Sequence, residues 1–139
     1  MIILLIEDNI DDERLTLRSL RKNNILNEVV VACDGDTALD TLFGSNRILP
    51  ALIVLDLKLP KLSGFEVLTR IRSSEITRLI PVVVMTSSDD PAHVKQAYAA
   101  GANSFVRKAT EPEEFSEAIL QVAMYWILLN LGPIAPVGP

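Results

Sequence analysis

An α/β fold, a doubly wound five-stranded parallel sheet with helices on both faces, is what the 139-residue sequence predicts. Five short apolar runs alternate with segments of helical periodicity, and the connections between them are short. The third run, Leu52-Ile53-Val54-Leu55, is apolar without interruption and then ends on Asp56. That is the pattern of a strand buried on both faces, emerging at the edge of the sheet where parallel α/β proteins place their chemistry.

The first run, Met1 to Ile6, leads straight into Glu7 and Asp8 with no basic region before it, so it reads as a strand and not a secretory signal. Asp11 or Asp12 is expected to cap a helix carrying Leu15, Leu17 and Leu20, closed by Asn23 and Asn24. Glu28 to Ala32 is β-branched and short, the second strand. Asp36 is expected to cap a helix with Ala38, Leu39, Leu42 and Phe43 on one face, and Gly44 to take the left-handed position after it. The third strand ends at Asp56. Gly64 precedes a helix with Phe65, Val67, Leu68 and Ile71. Pro81 to Thr86 is the fourth strand, with proline at its first position. Asp90-Pro91 opens a helix that Gly101 ends. Asn103 to Arg107 is the fifth strand, and Thr110 to Glu113 is expected to form a capping box for the last helix.

Composition narrows the function. With 49% hydrophobic and 22% charged residues the chain has material for one ordinary core. A net charge of −5 argues against a nucleic-acid binder held by phosphate contacts. With no apolar run of about 18 residues, no membrane span is expected, and the chain reads as cytoplasmic. The single cysteine, Cys33, has no internal partner and is expected to be a buried thiol.

Chemistry is expected at the strand ends. Strand one stops at Glu7-Asp8, strand three at Asp56, strand four at Thr86 and strand five at Lys108, and in a parallel sheet these ends open on one edge. Three clustered carboxylates raise one another's pKa unless a cation neutralises them. The donors are all oxygen, which favours Mg²⁺ or Mn²⁺ over zinc. A metal, an acid free to attack, an ammonium and a hydroxyl make a phosphoryl-transfer constellation, with an aspartyl phosphate as its product.

Glu7-Asp8, Asp56, Leu59-Pro60, Gly64, Thr86 with Ser87, Phe105 and Lys108 together resemble the receiver domains of two-component response regulators, the CheY-like family, to about Asn130. The resemblance implies strand order 2-1-3-4-5, Asp56 as phosphoacceptor, and Mg²⁺ bound by Glu7, Asp8, Asp56 and the backbone carbonyl of Lys58. It implies that Lys108 contacts Asp56 and then the phosphoryl group, and that Thr86 moves to bond a phosphoryl oxygen. Phe105 is then either a plain core aromatic or a ring drawn inward behind Thr86. Lys58 and Ser88, two residues beyond Asp56 and Thr86, flank the path of the attacking water in the family. Ala109 departs from the pattern, since the family usually has a cis-linked proline there. A non-proline cis bond costs about 2.5 to 4 kcal/mol. Either the loop keeps that geometry, or it relaxes to trans and Lys108 arrives from another direction.

The last helix is the second departure. Phe115, Ile119, Val122 and Trp126 make a docking stripe, while Leu120, Met124, Ile127, Leu128 and Leu131 widen it beyond one face. Residues 1–131 are expected to form the receiver unit, followed by a Pro/Gly-rich tail over 132–139 that is extended or disordered. Such aromatic-rich ends resemble the single-domain regulators paired with bacterial phytochrome-type kinases, which implies a homodimer through the last helix. With no room for an output domain, the expected function is a single-domain switch. It accepts a phosphoryl group from a histidine kinase or histidine phosphotransfer protein and signals by altered protein interactions, with no enzyme activity and no nucleic acid or membrane as partner. The alternative is a degenerate receiver acting as an unphosphorylated interaction module, for which Ala109 is the one hint. A haloacid-dehalogenase-like phosphatase would need a second acid where Lys58 stands, and a flavodoxin-like cofactor binder would suffer repulsion from Glu7-Asp8.

Overall fold

Strands β1 (Ile2–Ile6), β2 (Glu28–Ala32), β3 (Leu52–Leu55), β4 (Val82–Thr86) and β5 (Ser104–Arg107) alternate with helices α1 (Ile10–Lys22), α2 (Gly35–Phe43), α3 (Gly64–Ser73), α4 (Pro91–Ala99) and α5 (Pro112–Ala123). They are seen in a computed structural model that describes residues 1–133. The remainder of the tail expected over 132–139 lies outside the described residues. All strand pairs are parallel and the sheet order is β2-β1-β3-β4-β5. The fold class and strand order are those expected.

Alternation along the strands sends side chains to two separate cores. Leu4, Ile6, Ile53, Leu55, Val82 and Val84 pack with Ala38, Leu42, Val67, Leu68, Ile71 and Ala97 of α2, α3 and α4. Ile3, Leu5, Leu52, Val54, Val83 and Met85 pack with Leu20 of α1 and with Phe115, Ile119 and Ala123 of α5. Strands β3 and β4 are buried at every position, as their unbroken apolar runs require. The edge strand β2 is only half-buried along Val29–Val31.

Helix starts differ from the expectation in detail, because the helices begin one or two residues earlier, on side chains that can accept the first free amides. Asn9, not Asp11 or Asp12, caps α1, its Oδ1 accepting from the Asp11 and Asp12 amides at 2.9 and 3.1 Å. Asp34, not Asp36, caps α2 by accepting from Thr37 N–H at 2.7 Å. Ser63 caps α3 with Gly64 inside the helix, and Asp90 caps α4 with Pro91 at the first position. The capping box at α5 does not form: Glu111 is the cap residue and its side chain makes no cap hydrogen bond. Gly44 ends α2 with φ −75°, so it is not left-handed, whereas Gly101 after α4 has φ +107°. Pro81 and Asn103 stand one residue outside their strands. Cys33 is exposed, not buried, because it follows the last residue of the edge strand and precedes the Asp34 cap.

Beyond Ala123 the last helix widens into a π-helical turn over Met124–Leu129. The wider turn brings Ile127, not only Trp126, onto the stripe begun by Phe115, Ile119 and Ala123, and Ile127 is buried while Trp126 is half-buried. Leu120 is half-buried as well. Met124, Tyr125, Leu128, Leu129 and Leu131 remain exposed.

At the opposite edge of the sheet from the carboxyl ends, Arg72 of α3 ties three segments together. Its guanidinium donates to the carbonyls of Gly101, Arg78 and Ile80 and to Asn103 Oδ1, and Asn103 Oδ1 also accepts from Val82 N–H at 2.7 Å. Burial lowers the Arg72 pKa from its ordinary value, and the four acceptors compensate the desolvated charge.

Candidate functional site

Parallel strands β1, β3, β4 and β5 deliver Glu7, Asp56, Thr86 and Lys108 to one edge, each at or next to the end of an apolar run. Glu7 and Asp56 are 4% and 6% exposed, Thr86 is fully buried, and Asp8 is exposed. The loop that follows Asp56 is held close by Gly64, where a Cβ would come within 2.5 Å of the Asp56 carbonyl oxygen and the Leu57 Cα. Any side chain there would push α3 away from the crevice.

Lys108 is the centre of the charge arrangement. Its Nζ lies 2.5 Å from Glu7 Oε1, 2.8 Å from Asp56 Oδ2 and 2.8 Å from Asp12 Oδ2, and its side chain is 9% exposed. An ammonium has three donors, and all three are used. There are no cis peptide bonds among the described residues, so the Lys108-Ala109 linkage is trans, and Lys108 nonetheless reaches Asp56. The second Asp56 oxygen, Oδ1, accepts the Lys58 amide at 3.0 Å, which holds the Lys58 peptide against the carboxylate. The Lys58 side chain turns away to Ser87 Oγ at 3.2 Å.

Burial and pairing push the two buried acids apart. Burial raises the Glu7 carboxyl to about 7, an effect that Lys108 opposes and the neighbouring Asp56 reinforces. For Asp56 burial acts in the same sense, but Lys108 and the Lys58 amide outweigh it and hold the group below the usual carboxylate value. Burial disfavours the Lys108 ammonium, yet bonds to Asp12, Asp56 and Glu7 prevail and hold it above the ordinary lysine range. Asp56 is therefore the ionised member of the pair, and Glu7 the one that most readily keeps a proton.

Glu7, Asp8 and Asp56 each offer a carboxylate oxygen within 4.8 Å of the other two. Oxygens around one Mg²⁺ at about 2.0–2.1 Å stand about 3 to 4 Å apart, so small side-chain adjustments close this set on a hard divalent cation. The residues fit the metal that the sequence implies. Two further features face the same edge. Thr86 Oγ1 is buried with no hydrogen-bond partner among the described residues, a costly state for a hydroxyl unless an acceptor arrives. Phe105, opposite Val84 in the β4–β5 register, lies half-buried against the core that Val84 joins, two pairs behind Thr86.

Asp12 is the site residue that the sequence reading assigned only to capping. Its signal was available: Asp8, Asp12 and Thr16 recur at four-residue spacing, and Thr16 is buried, so Asp12 sits on the inward face of the first turn of α1. The Ser88 hydroxyl bonds away from the acidic cluster: it lies 2.7 Å from His93 Nδ1 and accepts from the Asp90 amide.

Comparison with known proteins converges on one family. The response regulator receiver domain profile matches residues 3–120. A probable methanogenesis regulatory protein, FilR2 of Methanothrix harundinacea (strain 6Ac), is 37% identical over 135 residues, covering 95% of this chain and 87% of that protein. The phosphorylated cyanobacterial phytochrome response regulator RcpA superposes with a TM-score of 0.91 at 31% identity, covering 96% of this chain and 98% of that one. The Mn²⁺-bound form of response regulator Rcp1 superposes with a TM-score of 0.90 at 31% identity, covering 96% and 99%. Rcp1 of Synechocystis sp. is 32% identical over 130 residues in sequence, covering 91% of this chain and 88% of that protein.

Proposed function

The chain belongs to the response regulator receiver domain family of two-component signalling, and from that membership we propose that Asp56 accepts a phosphoryl group from a histidine kinase or a histidine phosphotransfer protein. The observation that carries the reading is Asp56 itself, buried yet held ionised between Lys108 and the Lys58 amide, beside the Glu7 and Asp8 carboxylates. In the transfer the P–N bond of the donor phosphohistidine breaks as a P–O bond forms to an Asp56 oxygen, and the departing imidazole takes up a proton. Lys108 follows the charge from the carboxylate to the phosphoryl oxygens. Thr86 donates its unpaired hydroxyl to one of those oxygens, and the half-buried Phe105 ring fills the space behind it. Mg²⁺ or Mn²⁺ held by Glu7, Asp8, Asp56 and the Lys58 carbonyl supplies neutralisation of the phosphoryl charge.

The same reading covers the partners. The similarity to the cyanobacterial phytochrome response regulator RcpA supports a phytochrome-type kinase as donor. The receiver unit runs to Leu131, and its output is an altered protein interaction. The exposed apolar set Met124, Tyr125, Leu128, Leu129 and Leu131 supports a homodimer, since a twofold interface buries one patch twice. Intact mass after incubation with Mg²⁺ and a small phosphodonor such as acetyl phosphate tests the central claim. Wild type is expected to gain one phosphoryl group and Asp56→Asn none. A phosphorylated Asp56→Asn chain, or an inert wild type, would overturn it.

A further inference from the structure

We propose that Asp12 is a positioning residue for phosphoryl transfer. It is the carboxylate that belongs to Lys108 alone, and it keeps the ammonium at the site when Glu7 and Asp56 are drawn to a divalent cation. The inference rests on the proposed function and adds to it a residue on α1.

The geometry separates the four acids by what they can serve. Asp8 faces the metal set and makes no bond to Lys108. Glu7 and Asp56 are shared: each is a member of the metal set and each also holds Lys108 Nζ, at 2.5 and 2.8 Å. Asp12 holds Lys108 Nζ at 2.8 Å and is not a member of the metal set. Its own position is fixed by α1, because Asn9 takes the capping role and accepts the Asp12 amide, and Thr16 Oγ1 donates to the Asp12 carbonyl at 2.8 Å. The carboxylate is thus left free of backbone duty and points at the crevice.

A divalent cation on Glu7 and Asp56 places two like-charged centres side by side and takes electron density from two of the three acceptors of the ammonium. Like charges at such range in a buried site repel strongly. An ammonium left with two weakened acceptors would swing out to water, which its flexible four-carbon stem allows. Asp12 opposes that with a charge-assisted hydrogen bond that the metal does not contest. Lys108 then stands where the phosphoryl oxygens arrive.

The test is a double-mutant cycle on the full chain, read as the rate of phosphorylation by acetyl phosphate at saturating Mg²⁺, together with melting temperature without metal. Asp12→Asn is expected to slow phosphorylation about tenfold, a barrier difference of about 1.4 kcal/mol, and Asp12→Ala at least as much. Metal-free melting should stay close to wild type, since Glu7 and Asp56 still hold Lys108. In a Lys108→Met background Asp12→Asn should slow the rate no further, because the residue acts through the lysine. Asp12→Glu should recover part of the rate. A wild type that is phosphorylated beside an Asp12→Asn chain of unchanged rate overturns the inference alone. Equal, additive losses with and without Lys108 do so too. A wild type that takes no phosphoryl group overturns the proposed function, and the inference with it.

Discussion

The Lys58 ammonium lies 3.2 Å from Ser87 Oγ, so the side chain two residues beyond Asp56 spans from the β3 loop to the end of β4. Its backbone meanwhile holds Asp56 Oδ1. One residue therefore both orients the Asp56 carboxylate through its amide and extends a charged arm to Ser87.

That arm is expected to govern the lifetime of the phosphoryl group. Lys58→Ala removes the arm but keeps the amide bond to Asp56, so uptake should persist while hydrolysis changes by more than about twofold, a barrier difference of about 0.4 kcal/mol. Ser88→Ala, which breaks the contact with His93, belongs in the same assay. Dephosphorylation followed by intact mass after removal of the donor measures both. Rates within twofold of wild type in both variants would remove Lys58 and Ser88 from the water path.

Metal affinity should be read through Asp8, the exposed acid of the set. Mg²⁺ is expected to raise the melting temperature of wild type by mass action. Asp8→Ala should abolish that rise. A variant that responds like wild type places the metal elsewhere.

The pH dependence follows from Glu7. Its carboxyl is raised from 4.5 to about 7, chiefly by burial, so between those values the folded chain binds more protons than the unfolded one. Stability from this group is therefore present at low pH and is lost as pH rises through about 7. A divalent cation requires the deprotonated form, so the rise in melting temperature on adding Mg²⁺ should be larger at about pH 7.5 than at about pH 5.5. Glu7→Gln should flatten the metal-free dependence. An identical Mg²⁺ response at both pH values would contradict the assignment.

Thr86→Val offers a test of the unpaired hydroxyl. Removing a buried polar atom that has no partner, without changing shape, should leave stability unchanged or raise it by about 1 kcal/mol in urea unfolding. Phosphoryl uptake should slow while the fold gains. A loss of more than about 1 kcal/mol would mean that the hydroxyl is already satisfied.

Assembly is best probed at residues that are exposed, which the π turn redefines. Ile127 is buried, so its substitution by glutamate would damage the core and confuse the result. Leu128→Glu with Leu129→Glu, at side chains 65% and 70% exposed, should instead dissociate the dimer while preserving the melting temperature within a few degrees. Sedimentation with and without phosphodonor measures dimerisation and its coupling. A monomeric wild type at tens of micromolar ends the dimer.

Strand ends were the most legible part of the sequence, because Glu7, Asp56, Thr86 and Lys108 each stand at or beside the close of an apolar run, and parallel topology does the rest. What escaped was decided by local competition between near-equal options. The helix starts earlier, with Asn9 accepting the Asp11 and Asp12 amides, and this leaves the Asp12 carboxylate free for Lys108. A single wide turn moved Ile127 inward. Hydrophobic periodicity assumes a uniform helix and carries no information on either choice.

The Arg72 tie has a mechanical consequence. It fastens the entry ends of β4 and β5 through Ile80, Gly101 and Asn103, while Thr86 and Lys108 ride on the exit ends of the same strands. The tie thus anchors both strands at the end remote from Asp56. A change at Asp56 is expected to act on their exit ends and on the loops that lead from them into α4 and α5, and to fade toward the Arg72 tie. Amide exchange should accordingly be slowest near Val82 and Val83 in both phosphorylation states, with differences confined to residues after Thr86 and Arg107. Arg72→Gln would loosen the entry ends of both strands and spread those differences along them, so that the domain would still receive its signal but would no longer aim it.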